Sequence, residues 1–271
     1  MTIRQLCEGI CLPAPARERV LAFAETFDFA AVEGQLCRFQ SRGDMMQACE
    51  ELRAILGEDG DHMKILACML YASAQIHDLY RARGISDEVY LATMGCYTRF
   101  LGETLERTGR LDFDRWWWTV RQAGFQLFRV GEMEYEIVRG EKETYIDMHI
   151  PSDADFAPAA VDASLEMAGE FFARAFPELA GCEYRCHSWL LARELREMLS
   201  PQSNILRFQE RFEILSEDEG DTECIEWVFR RDGADFASLP ENTSLQRKMK
   251  AHFLSGGVIH GAKGRLRMIP D

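Results

Sequence analysis

The hydrophobic and polar positions of this chain change period part-way along its length. Through the first hundred residues apolar side chains recur every three or four positions, the spacing of helices that bury one stripe. Segments 17–31 and 44–56 read as helices with Gly34 and Gly57 as stops. From Asp61 to Arg83 a single stripe runs through Ile65, Met69, Ala72, Ile76 and Leu79, with Gly84 where a C-terminal cap belongs. Ser86 then caps a further helix through Arg107, closed by Gly109. Beyond Leu111 the period shortens. Phe125–Val130 and Met133–Val138 alternate around Gly131 and predict a hairpin, with Met133, Tyr135 and Ile137 inward and Glu134 and Glu136 on a solvated face.

The next strand runs from Tyr145 to Ile150, with Ile146, Met148 and Ile150 on one side and Tyr145, Asp147 and His149 on the other, and Pro151 ends it. Val161, Leu165, Ala168, Phe172 and Ala175 then form a helical stripe up to Phe176. Tyr184–Leu191 reads as a strand, and a strand, helix, strand crossover sets it parallel to the first. A helix over Ala192–Leu199 and a short one capped at Ser203-Asn204 follow. Phe212–Leu215 and Cys224–Phe229 predict a hairpin around the acidic run Glu217 to Asp221; Ser244–Leu254 predicts a helix, and Gly261 to Gly264 the turn of a terminal hairpin. The organisation is α+β, with a helical domain over 1–110 and a mixed sheet domain with flanking helices over 111–271.

Charge narrows the partners. Asp and Glu number 45 against 31 Lys and Arg, a formal charge of −14, which disfavours nucleic acid. No apolar run reaches the roughly 18 residues of a membrane helix, and the N-terminus shows no leader pattern, so the expectation is a cytoplasmic protein acting on a small molecule, with a homodimer open. The nine cysteines are scattered and odd in number, as buried thiols in a reducing compartment are. Neither Cys7 with Cys11 nor Cys182 with Cys186 has zinc-knuckle spacing, so no metal is expected. His62 and His77 have no ligand-type partner at helical spacing, and Trp116-Trp117-Trp118 reads as packing between layers.

The motifs Phe128-Arg129-Val130-Gly131, Ile146 through Ala154, His187-Ser188-Trp189-Leu190-Leu191 and Ser203 through Phe208 together resemble bacterial acyltransferase-domain proteins that join a helical N-acyltransferase N-terminal domain to a GNAT-like C-terminal domain. The resemblance implies acyl transfer from acetyl-CoA or another acyl-CoA to an amine, with the two parallel strands splayed to admit the pantetheine arm. It implies that Met148, Ile150 and Pro151 line the edge strand, and that Ser152, Ala154 and Phe156 form the turn toward the pyrophosphate. His149 is then the candidate base, and His187 or Tyr184 the candidate acid. His149 shares a strand face with Asp147, two residues and about 7 Å away along the strand. GNAT enzymes set glycines in that turn so that bare backbone reaches the phosphates; here no glycine stands between Pro151 and Gly169, and Asp153 and Asp155 are acidic. A second class therefore stays open: a catalytically silent GNAT-like binding or interaction module.

Overall fold

The computed structural model describes residues 1–140, 143–218, 222–231 and 235–267. The chain divides into two compact units that interleave in sequence: Met1–Val130 with Glu134–Glu143 and Ala168–Ala180, and Gly131–Met133 with Thr144–Met167 and Gly181–Asp271.

The first unit is helical, as the 3.6-residue periodicity predicts. It holds α1 (Ile3–Gly9), α2 (Ala14–Thr26), α3 (Glu33–Arg38), α4 (Met45–Leu56), α5 (Met63–Ala82), α6 (Asp87–Met94), α7 (Cys96–Thr108) and α8 (Trp116–Ala123), followed by β1 (Leu127–Val130) and β2 (Met133–Arg139). The α5 stripe is buried at Ile65, Met69, Ala72 and Ile76 but not at Leu79, which is exposed near the helix end, and Gly84 takes the left-handed conformation expected past a helix end, φ 68°. The single helix expected from Ser86 to Arg107 is instead two. Ser86 caps α6 as anticipated, but the chain breaks at Gly95, where a Cβ would meet the Ala92 carbonyl at 3.2 Å. The solvated face expected for Glu134 and Glu136 is also corrected. Both are buried, at 2% and 1% exposure. Arg99 donates to Glu134 at 2.7 Å, and Arg42 and Arg121 both pair with Glu136. Buried carboxylates persist only when paired, and these guanidiniums come from α7, α8 and the stretch before α4. His62 and His77 are satisfied locally, by Asp112 at 2.6 Å and Asp87 at 2.8 Å.

The remaining elements are β3 (Thr144–His149), α9 (Pro158–Ala175), β4 (Tyr184–Ser188), α10 (Leu195–Met198), α11 (Asn204–Gln209), β5 (Phe212–Asp218), α12 (Glu223–Phe229), α13 (Ser244–Leu254) and β6 (Gly261–Leu266). The six strands form one mixed sheet in the order β1-β2-β3-β4-β6-β5. All five stripe residues of α9, from Val161 to Ala175, are buried. In the second unit Ala192, Leu195, Met198, Cys224, Ile225, Phe229, Met249 and Phe253 share a core under α10, α12 and α13.

Three sequence expectations fail in this unit. Cys224–Phe229 is a helix rather than a strand, because its buried positions Cys224, Ile225 and Phe229 fall at helical spacing; Glu219 to Asp221 of the acidic run lie outside the described residues. Gly261–Gly264 is no turn but the body of β6, held between β4 and β5. Gly264 suits the close packing there, since a Cβ would meet Leu191 and Phe212 side chains at 3.0 Å. The strand begun at Tyr184 stops at Ser188, Trp189–Leu191 forms a 3-10 turn, and the helix expected from Ala192 is confined to Leu195–Met198.

Candidate active site

The site is built on β3 and β4, which run parallel because the crossover between them is α9. Their register sets Ile146 opposite Tyr184 and Asp147 opposite Arg185, and among the described residues it ends there. On its other side β4 stays in antiparallel register with β6 as far as Ser188, through Arg185 with Arg265, Cys186 with Gly264, His187 with Lys263 and Ser188 with Ala262. On the β6 side the strand therefore keeps its partner beyond the point at which its register with β3 ends. Ile150 follows β3, and Pro151 after it brings no N–H of its own.

Alternation along the paired strands sorts the side chains onto two faces. Ile146, Met148 and Cys186 are buried on one, and Tyr184 shares that face by register. Asp147, His149, Arg185 and His187 share the other. Nε2 of His149 stands 4.0 Å from Asp147 Oδ2, too far for a hydrogen bond. Nε2 of His187 is 3.2 Å from Asp218 at the end of β5, and the His187 side chain is 40% exposed. Thus the structure brings His149 and His187 to one face and sets Tyr184 on the opposite one. Burial pushes the Tyr184 hydroxyl up to about 12, so it is a protonated group at neutral pH.

A charged row flanks the histidines that the sequence reading passed over. Arg185 donates to Glu183 at 2.8 Å and lies 4.3 Å over the Tyr145 ring. Arg265 bridges Glu183 at 2.9 Å and Glu213 at 2.6 Å. The Arg185 and Arg265 hydrogen bonds hold the Glu183 carboxyl below its usual range, and the two carboxylates raise the Arg265 guanidinium. The signal was present as the period-two polar series Glu183, Arg185, His187 and Lys263, Arg265.

The turn after β3 is closed on itself. Of its predicted contact residues, Met148 and Pro151 are buried, Ile150, Ala154 and Phe156 are half-buried and Ser152 is exposed. The Ala154 N–H donates to the Pro151 carbonyl at 3.1 Å, the Ala157 N–H to the Asp155 carboxylate at 2.8 Å, and the Asp155 N–H to the Glu132 carboxylate at 2.9 Å. Glu132 is held in place by the hydroxyl of Ser164 on α9, which accepts from the N–H groups of Glu132 at 3.1 Å and Met133 at 3.2 Å. Gly131 makes that approach possible, with φ 63° and the Ser164 side chain 2.9 Å from where a Cβ would sit. The turn does not fit the usual pyrophosphate cradle, because three of its N–H groups already serve the chain's own oxygens.

Comparison with known proteins places the fold and the family. Residues 105–266 match the family described as GNAT-like C-terminal domain, and residues 1–124 match the N-acyltransferase N-terminal domain. An acyltransferase solved in complex with decanoyl-CoA and teicoplanin superposes with a TM-score of 0.82 at 22% identity, covering 98% of this chain and 87% of that one. A mutant acyltransferase in complex with octanoyl-CoA gives 0.83 at 21% identity, over 98% and 87% of the two chains. An acyltransferase in complex with CoA and 10C-teicoplanin gives 0.80 at 23%, with the same coverage. No curated protein matches the chain in sequence. At such identities the superpositions speak to the fold, and the family match over residues 105–266 covers more than half of the chain: it belongs to the GNAT-like C-terminal domain family.

Proposed function

We propose that the protein transfers an acyl group from an acyl-CoA thioester to the amine of a small molecule. The observation that carries this reading is the early end of the β3–β4 register while β4 remains paired to β6. Strand ends parted in this way offer backbone N–H and C=O groups to a pantetheine arm lying along Met148, Ile150 and Pro151, in the manner of an added strand. The neighbours solved with decanoyl-CoA, octanoyl-CoA and CoA support that choice of donor. When bound, the thioester supplies an activated carbonyl. Attack by the amine forms the C–N bond and breaks the C–S bond, so one proton must leave nitrogen and one must reach sulfur.

His149 and Tyr184 meet these two needs from opposite faces of the sheet. The His149 imidazole takes the amine proton. Tyr184, kept protonated by burial, is the donor toward the thiolate. His187, paired with Asp218, lies on the His149 face and serves to orient the acceptor. The acidic surface supports a small-molecule acceptor over nucleic acid and a cytoplasmic setting; no described helix is long and apolar enough to cross a membrane.

The closed turn favours a second reading, a GNAT-like scaffold that binds a ligand or partner without catalysis. The two part on turnover. Purified protein given decanoyl-CoA and a panel of amines should release free CoA, measured with a thiol reagent. Tight CoA binding with no release above the uncatalysed rate would leave the binding module standing.

A further inference from the structure

This inference rests on the acyl-CoA reading above and asks where the donor's phosphates are held. The turn after β3 is a poor place for them: Glu132, Asp153 and Asp155 are acidic, and the N–H groups of Ala154, Asp155 and Ala157 are spent. The short helix α11 lies against the same turn. Its Phe208 ring meets Phe156 edge to face with centroids 5.2 Å apart. Arg211, just past α11, reaches the first turn of α9, donating to Asp162 at 2.6 Å and to the Pro158 carbonyl at 3.3 Å, and sends its remaining amine to the Arg207 carbonyl at 2.8 Å. One guanidinium thus ties the backbone of Arg207 to the start of α9. Arg207 itself is exposed and enters no ion pair among the described residues.

We propose that Arg207 binds the phosphate groups of the acyl-CoA donor, in place of the turn's backbone amides. A guanidinium presents paired donors that match phosphate oxygens, and its positive charge offsets the carboxylates that make the turn unfavourable to an anion. Arg211 is a positioning residue, its own charge answered by Asp162. Glu132 and Asp155 keep the turn closed and leave the phosphates to α11.

Isothermal titration calorimetry with CoA and with pantetheine, which lacks the nucleotide, tests this on the wild-type chain and on the Arg207→Ala and Glu132→Gln variants, each first checked for folding by circular dichroism. The expected result is that Arg207→Ala weakens CoA about tenfold or more and leaves pantetheine within about twofold of wild type. Glu132→Gln should leave CoA affinity nearly unchanged. Wild-type CoA affinity in Arg207→Ala, an equal loss for pantetheine, or tighter CoA binding in Glu132→Gln would each overturn the assignment while leaving the acyl-CoA reading intact. A wild-type chain that binds neither probe would overturn both.

Discussion

At the scale of single residues, the candidate base is the sharpest test. His149→Ala should lower turnover by about 10²- to 10⁴-fold, the usual worth of a positioned base. CoA affinity by calorimetry should stay close to wild type, because in the proposed reaction the imidazole acts on the amine; an equal loss of both would place His149 in binding instead. The thiols make an independent prediction. Burial pushes Cys7 up to about 11 and Cys49 and Cys68 up to about 12, whereas Cys11 and Cys37 are exposed. Alkylation near pH 8 followed by mass spectrometry should mark Cys11 and Cys37 and spare the other three. An unfolded thiol ionises near about 8.5, so the folded chain keeps protons that the unfolded chain loses. Their contribution to stability is complete below that pH and is lost as pH rises through about 11 to 12. The urea midpoint should fall above pH 9, less steeply in Cys49→Ala. At this scale the family resemblance put His149 and His187 near one strand gap, though their common face needed the register of the folded sheet, and Glu134 and Glu136 could not be read as buried. Their alternation is that of any half-exposed strand, and what buries them comes from Arg42, Arg99 and Arg121, far away in sequence.

Among the elements, the β1–β2 turn carries more than its length suggests. Gly131→Ala forces a side chain onto Ser164 at a positive φ. It should cost about 1–3 kcal/mol in urea unfolding, where Gly60→Ala, with open space around it, should cost less than about 1. Glu136→Ala removes the buried carboxylate that answers Arg121, whose side chain is 17% exposed, and the more exposed Arg42, and should cost about 3 kcal/mol. A change within about 0.5 kcal/mol would mean that water reaches those guanidiniums. Long periodic elements such as α5 and α9 were legible because one stripe decides them. The segment Gly261–Leu266 was not. Its glycines read as a turn in isolation, and the close approach of Leu191 and Phe212 to Gly264 shows why a small residue suits that strand position. Cys224–Phe229 was misread for a related reason, since a seven-residue apolar run fits either period.

At the scale of the whole molecule, the order of the sheet carries the proposed function. β6 holds β4 in register from Arg185 to Ser188, beyond the point at which its register with β3 ends. The sequence indicated two parallel strands joined by a helix, and the resemblance implied that they separate; that β6 rather than β5 is the anchor required the folded chain, because the last strand inserts between two earlier ones. The measurement that bears most directly on this account is a crystal structure of the protein with decanoyl-CoA bound. The account predicts the pantetheine arm extended between β3 and β4, its amides bonded to the backbone between Met148 and Ile150 and its thioester between the His149 and Tyr184 faces. An arm lying elsewhere on the molecule, with β3 and β4 closed on each other beyond Asp147 and Arg185, would contradict it.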